Sequence, residues 1–258
     1  MDLHLWQLTL DARSLMEFAR TQHLLHREAD QGYVVHAALA AVFGEAVPTP
    51  FVLEGALSPD APARAPGVEV VLAYSPYTLD TVRQRASKEH QHLVRWTECR
   101  GRPVPSIGEG TRLAFTTLVV PVVRSRARTE GRSEHGRGHG RELDAFVAEC
   151  LRVGRDVRVD RAAVYRDWLA QRLRGEEQVV FGGAELEDYS LQAFRRVRLL
   201  RKEAGPGARK RHVLDRPEAL VSGTLQVTDE GAFRSLIARG IGRHRAFGFG
   251  MLLLRRGV

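Results

Sequence analysis

Hydrophobic and polar residues follow two different periods in the first part of the chain. Residues 3–10 alternate large apolar with mostly polar side chains, a period of two that is typical of a half-buried strand. Residues 32–44 are bounded by glycines and place apolar side chains at helical spacing, which predicts a helix. The predicted buried face of this helix consists of Val35, Ala38, Leu39, Val42 and Phe43.

The rest of the first half predicts a known supersecondary unit. We expect a short helix after Asp11, strands at 51–57 and 68–74 with proline and glycine turn residues between them, and a helix at 78–86 that begins at a Thr or Asp cap. The order strand, helix, strand, strand, helix is the signature of a ferredoxin-like βαββαβ unit.

The second half repeats this order. Strands are predicted at 112–124, 186–201, 220–227 and 247–254, and helices at 161–173 and 230–239. The sequence therefore predicts an α+β fold of two tandem ferredoxin-like, RRM-like domains, with residues 1–106 in the first and 107–258 in the second. Residues 125–142 are too rich in glycine and charge to pack, so we expect a mobile insertion there.

Composition narrows the class of protein. The chain has 258 residues, of which 43% are hydrophobic, enough for a substantial core. It contains no run of roughly 18 to 20 apolar residues and no signal segment at its start, so we expect a soluble cytoplasmic protein with no membrane partner. Cys99 and Cys150 have no CxxC partner, and His135 and His139 are interpreted as part of a solvated loop. Neither a metal nor a cofactor is expected.

The formal charge of +8 makes a polyanion the natural partner. Basic residues recur on both sides of a predicted turn at 205–207, and a hairpin with a basic tip could lie along an A-form RNA stem. The candidate RNA-binding residues of this hairpin are Arg195, Arg196, Arg198, Arg201, Lys202, Arg209, Lys210 and Arg211. The alternative interpretation is a solvated charged edge that prevents strand aggregation.

A glycine-rich segment, RGIGRHRAFGFG at residues 239–250, precedes the last predicted strand. It lacks the Gly-Lys-Ser/Thr ending of a phosphate-binding loop, and it does not open a helix as a dinucleotide-binding fingerprint does. Its glycines allow positive φ angles and close backbone approach, and its basic residues could contact phosphate. The glycines are Gly240, Gly242, Gly248 and Gly250, and the basic residues are Arg239, Arg243, His244 and Arg245. The alternative is a tight connection with solvated charges.

This glycine-rich loop, together with Tyr33-Val-Val-His36 followed by Leu39 and Phe43, resembles the Cas-six family of CRISPR repeat-processing endoribonucleases, with most likeness to the CasE branch of type I-E systems. The resemblance implies that the loop joins the last helix to the last strand of a second ferredoxin-like domain. It also implies cleavage of repeat hairpins in precursor transcripts, leaving a 2′,3′-cyclic phosphate and a 5′-hydroxyl. The implied partners are the repeat RNA stem-loop, the mature crRNA and Cascade-type effector subunits.

RNA cleavage without a metal requires attack of a 2′-hydroxyl on the neighbouring phosphate, which needs a base, an acid and cations. A histidine that titrates near neutrality suits either proton role, and His36 is the candidate. Tyr33, one helical turn earlier, could orient the phosphate or donate a proton to it. His23 and His26 are the rival histidines, placed in a polar turn before the helix.

Two alternative functions use the same basic surface. The first is a catalytically silent, tandem RRM-like RNA-binding subunit of a ribonucleoprotein complex. The second is a DNA-binding or ribosome-associated protein. Competition with duplex DNA separates the second alternative, because recognition through 2′-hydroxyls excludes DNA.

Overall fold

A computed structural model describes residues 2–25, 31–57, 67–124, 142–154, 156–175, 182–202 and 211–256. Within these ranges, the N-terminal unit contains four strands and three α-helices. In chain order these are β1 (His4–Asp11), α1 (Ala12–Thr21), α2 (Gln31–Phe43), β2 (Phe51–Leu53), β3 (Val68–Ser75), α3 (Leu79–Arg85) and β4 (Arg100–Pro103). The strands form an antiparallel sheet in the order β2-β3-β1-β4.

The C-terminal unit has the same sheet order with longer strands. Its elements are β5 (Arg112–Val119), β6 (Val122–Arg124), β7 (Glu142–Asp144), α4 (Ala145–Val153), α5 (Arg161–Arg174), β8 (Ala184–Lys202), β9 (Arg211–Val227), α6 (Glu230–Arg239) and β10 (Leu253–Arg256). The main sheet runs β10-β5-β9-β8, and β6 pairs with β7 in a separate ribbon. When the four strands of each main sheet are numbered in chain order within their own unit, both sheets have the order 4-1-3-2, read from one edge to the other. The predicted tandem ferredoxin-like fold is therefore confirmed.

The alternating apolar residues of β1 lie on the face of the first sheet that the helices cover. Trp6, Leu8 and Leu10 are buried together with the apolar residues of α1 and α2. The opposite face packs against the C-terminal unit, because Leu72 and Tyr74 of β3 belong to the same buried cluster as the second sheet. The two units therefore meet across the side of the first sheet that the helices leave uncovered.

Helix α2 forms as its pattern predicts. All five residues of the predicted apolar face are buried, and the helix is observed at Gln31–Phe43. Complete burial of a Val, Leu or Phe side chain contributes about 1.5–3 kcal/mol. The predicted cap of α3 is Thr78, whose side chain accepts a hydrogen bond from the backbone N–H of Thr81.

Three predicted strands need correction. The segment 112–124 is two strands, because Pro121 has no N–H for a ladder and the chain turns there into β6. The segment 51–57 is a strand only at Phe51–Leu53 and continues as a 3-10 turn. The last strand begins at Leu253 rather than at Phe247, because the left-handed glycines before it cannot lie in a regular strand.

Other elements were not predicted or extend further than predicted. Strand β4 and the β7–α4 segment were not predicted, and β9 begins at Arg211, well before residue 220. Of the predicted insertion, residues 125–141 lie outside the described residues, whereas Glu142 belongs to β7. The division of the chain at residues 106 and 107 stays a prediction. No helix in the described ranges combines the length and apolar character needed to span a membrane.

Candidate active site

Tyr33 and His36 lie one turn apart on α2, on the part of the helix that is incompletely buried. The imidazole of His36 is stacked on the ring of Phe51, with 6.4 Å between centroids. Its Nδ1 atom is buried and has no hydrogen-bond partner among the described residues. Burial lowers the pKa of His36, because the protonated ring loses more solvation than the neutral ring. The structure therefore favours a neutral imidazole near pH 7.

The ring of Tyr33 contacts the other unit. It stacks on Phe247 with a centroid distance of 5.9 Å and an interplanar angle of 22°. Phe247 belongs to the glycine-rich loop between α6 and β10, and its ring also meets the ring of His244 edge-on at 6.0 Å. Because Gly248 lies next to Phe51, the loop borders both candidate side chains on α2. The site is thus assembled from both units.

The four glycines of this loop all have φ angles between 73° and 88°, as predicted. Gly250 shows why a side chain is excluded: a Cβ there would lie 2.1 Å from the carbonyl oxygen of Ile241. The N–H of Ile241 donates to the carbonyl of Gly250, and the N–H of Gly250 donates to that of Leu118, each at 2.7 Å. A Cβ at Gly240 would similarly press on Pro50 at 2.8 Å. The expected close backbone approach is confirmed, and it clamps the loop between the units.

The basic residues of the loop divide into two pairs. Arg243 and His244 both contact the carboxylate of Glu142, a residue that was not predicted as part of the site. Arg245 instead donates to the carbonyl oxygen of Arg239 at 2.6 Å. Burial and the charge of Arg239 lower the pKa of Arg245, so a nearby anion would stabilise this pair.

The predicted basic hairpin is present, with β8 and β9 paired as far as Lys202 opposite Arg211. Arg195 pairs with Glu218, and the Nε of Arg196 donates to Asp215 at 3.0 Å, yet both guanidinium groups remain at least half exposed. Arg198 is also exposed. The side chains of Arg201, Lys202 and Arg211, and the whole of Arg209 and Lys210, lie outside the described residues.

A network of Asp144, Arg161 and Tyr165 supports the base of this hairpin. The hydroxyl of Tyr165 donates to the buried Asp144 carboxylate at 2.9 Å, and the Arg161 guanidinium lies 3.3 Å from the same group. Arg161 is also held between the rings of Phe146 and Phe194, at 3.8 and 4.0 Å from their centroids. These contacts fix β8 against α4 and α5.

An open cavity of about 450 Å³ separates the hairpin from the start of α2. Gln31, Glu69, Phe194 and Arg195 contribute to its lining. The amide of Gln31 donates to the Glu69 carboxylate at 2.6 Å, so polar groups and an aromatic ring face one space. The cavity therefore connects the hairpin side of the molecule with the helix that carries Tyr33 and His36.

Of the two rival histidines, the structure describes only His23. His23 occupies an exposed turn after α1 and has a φ of 51°, and His26, His135 and His139 lie outside the described residues. Phe51, Phe247 and Glu142 were not predicted as site residues. The aromatic residues among the loop glycines were the only local signal for Phe247, and Glu142 carried none.

These features define a class: tandem ferredoxin-like proteins in which a glycine-rich loop of the second unit faces a histidine-bearing helix of the first. A family model for CRISPR associated proteins matches residues 3–256, so the chain belongs to that family. The resemblance predicted from the sequence is confirmed at this level.

Solved structures agree with the fold. The chain is similar to the CRISPR endoribonuclease Cse3 bound to a 19 nt RNA, with 19% identity, 98% of this chain and 99% of that chain covered, and a TM-score of 0.63. For Thermus thermophilus Cse3 bound to an RNA representing a pre-cleavage complex, the identity is 19%, the coverage 99% and 100%, and the TM-score 0.62. No curated protein matches the sequence. At such identities the likeness establishes the fold.

Proposed function

We propose that this protein is an endoribonuclease that cleaves the repeat hairpin of CRISPR precursor transcripts without a metal ion. Family membership supports the substrate class, since similar structures are described as CRISPR endoribonucleases bound to RNA. The observation that carries the proposal is the placement of His36. Its desolvated ring lies at the junction of the two units, beside Tyr33 and the glycine-rich loop.

In this mechanism the neutral imidazole of His36 accepts the proton of the attacking 2′-hydroxyl. The 2′-oxygen bonds to phosphorus, the bond from phosphorus to the 5′-oxygen breaks, and that oxygen takes a proton from water, while His36 afterwards releases its proton to solvent. The products carry a 2′,3′-cyclic phosphate and a 5′-hydroxyl. Tyr33 orients the phosphate or donates a proton to it, and nearby cations stabilise the developing charge.

RNA binding is assigned to two surfaces of the C-terminal unit. The exposed arginines of the β8–β9 hairpin contact phosphates and 2′-hydroxyls of the stem. Arg239 and Arg245 of the glycine-rich loop lie on the active-site side, where a phosphate would offset their mutual repulsion. The mature crRNA remains bound to this surface, and Cascade-type effector subunits join the resulting particle.

The decisive experiment incubates the protein with end-labelled repeat RNA from its own host in EDTA. Wild type should cut at one position, and a 2′-deoxy substitution at that position should abolish cleavage. His36→Ala should cut about 10²–10⁴-fold more slowly, the contribution of a general base, with unchanged RNA affinity. His92→Ala, which alters an exposed histidine, is the matched control.

Other outcomes lead to different functions. Tight binding of the repeat without cleavage by wild type would instead indicate a silent RNA-binding subunit. Equal displacement of the RNA by duplex DNA would indicate a DNA-binding protein. Absence of cleavage for every CRISPR repeat tested, including that of the host, would refute the proposed activity.

A further inference from the structure

Three donor groups from two parts of the C-terminal unit converge on the carboxylate of Glu142 in β7. Arg216 of β9 donates to Oε2 at 2.9 Å, and Nε2 of His244 lies 3.2 Å from the same oxygen. Arg243 is hydrogen-bonded to Oε1. The Glu142 side chain is only 15% exposed, so these contacts are screened less than a surface ion pair.

The electrostatics of this cluster favour a permanent carboxylate. Burial raises the pKa of Glu142, but the hydrogen bond from Arg243 and the charges around the carboxylate outweigh burial and lower it. Removing such a carboxylate leaves two partly buried guanidinium groups without their counter-charge. Glu142 is therefore the group that fixes Arg243 and His244 in place.

Packing carries this constraint from the loop to α2. His244 has a φ of 62°, a left-handed conformation that is uncommon for a residue with a side chain and that its contacts must hold. Its ring meets Phe247, and Phe247 stacks on Tyr33. A continuous series of contacts thus runs from Glu142 through His244 and Phe247 to the candidate catalytic tyrosine.

We propose that Glu142 is a positioning residue for RNA cleavage, which holds the glycine-rich loop so that Phe247 fixes the ring of Tyr33. This inference rests on the proposed function. In this arrangement Arg243 is engaged by the protein rather than by RNA. Loss of the Glu142 charge should therefore impair catalysis while leaving phosphate binding intact or stronger, a combination that general destabilisation does not produce.

The first test observes Tyr33 directly and needs no activity. The chain has five tyrosines, so ¹⁹F NMR of fluorotyrosine-labelled protein gives few resonances, and the signal missing in Tyr33→Phe assigns Tyr33. We expect Glu142→Gln to move the Tyr33 resonance. Glu149→Gln, which removes a partly exposed carboxylate paired with Arg152 on α4, should leave it unchanged. An unmoved Tyr33 signal in folded Glu142→Gln would overturn the inference.

The second test separates catalysis from binding in the full-length protein. Glu142→Gln should lower the single-turnover cleavage rate by about 10- to 100-fold, as expected when a catalytic group is misplaced by around 1 Å. Its affinity for a 2′-deoxy, uncleavable repeat RNA should equal or exceed that of wild type. A wild-type cleavage rate in this variant would overturn the inference while the proposed function stands.

A third variant distinguishes the proposed loss of positioning from misfolding of Glu142→Gln. Phe247→Leu interrupts the same series of contacts without touching the charge cluster, so it should move the Tyr33 signal and slow cleavage to a similar extent. Combined with Glu142→Gln it should add little, because both changes act through one contact. Full additivity would contradict a shared path. If wild type cuts no repeat, the proposed function fails, and the Tyr33 signal still decides whether Glu142 positions Tyr33.

Discussion

The imidazole of His36 lies parallel to the phenyl ring of Phe51, with an angle of 3° between the two planes. Protonation of His36 would place an N–H donor at Nδ1, where no acceptor is present among the described residues. Burial of the ring and the missing acceptor at Nδ1 both destabilise the imidazolium. The side chain is consequently suited to accept a proton during the reaction and is poorly suited to hold one beforehand.

The first prediction concerns pH. Burial lowers the pKa of His36 from its ordinary value of 6.5, so the neutral ring is the major form at pH 6.5 and above. A general base must be unprotonated, so the single-turnover cleavage rate should rise with pH and then level off, with its midpoint below pH 6.5. The rate should be measured between about pH 5 and 8 at saturating protein. A rate that instead falls as pH rises through the same range would assign the acid role to His36.

The sequence predicted the structural elements that are determined by local residue patterns. Helix α2 follows from apolar spacing between two glycines, and the loop glycines follow from the backbone angles that only glycine adopts easily. Strand β4 was missed because all four of its residues are exposed on a sheet edge, which leaves no alternation to detect. The local residue pattern was therefore sufficient to predict α2, the helix that carries Tyr33 and His36.

The rest of the site depends on tertiary contacts between distant segments. Glu142 meets Arg243 and His244 across about a hundred residues, and no local pattern encodes that partner. Phe51 meets α2 because this helix covers the sheet that contains β2, and Phe247 reaches Tyr33 because the two units pack together. The family resemblance supplied Tyr33 and His36, whereas the environment of those residues required coordinates.

The second prediction concerns a hydrogen bond that joins the two units. The buried hydroxyl of Tyr74 donates to the carbonyl oxygen of Leu252 at 2.9 Å. Tyr74→Phe leaves this buried acceptor unsatisfied and should lower the free energy of unfolding by about 1–2 kcal/mol. Tyr77→Phe, at a side chain that is 41% exposed, is the control and should have little effect. Denaturant unfolding measures both, and equal stability of the two variants would contradict the assigned role of the hydroxyl.

The third prediction concerns the backbone crossing within the glycine-rich loop. Gly250→Ala would place its Cβ 2.1 Å from the Ile241 carbonyl oxygen at a φ of 79°, so clash and strain act together. We expect a loss of at least about 2 kcal/mol in unfolding free energy. A Cβ at Gly108 meets no atom within 4 Å, so Gly108→Ala should change stability by less than about 0.5 kcal/mol. Similar stability of the two alanine variants would show that the loop can relax around Cβ.

The fourth prediction concerns the hairpin and uses salt to distinguish a phosphate contact from overall charge. Arg198 is exposed on β8, and Arg13 is exposed on α1 of the other unit. Arg198→Gln should weaken binding of the repeat RNA and reduce the slope of log affinity against log salt by about 0.7–0.9, the release expected for one lost phosphate contact. Arg13→Gln changes the net charge equally and should leave the slope unchanged. Because the proposed catalytic residues lie on α2, both variants should cut bound RNA at the wild-type rate under saturating protein. Equal slopes for the two variants would mean that Arg198 makes no phosphate contact of its own and that the hairpin attracts RNA only through the overall positive charge of the protein.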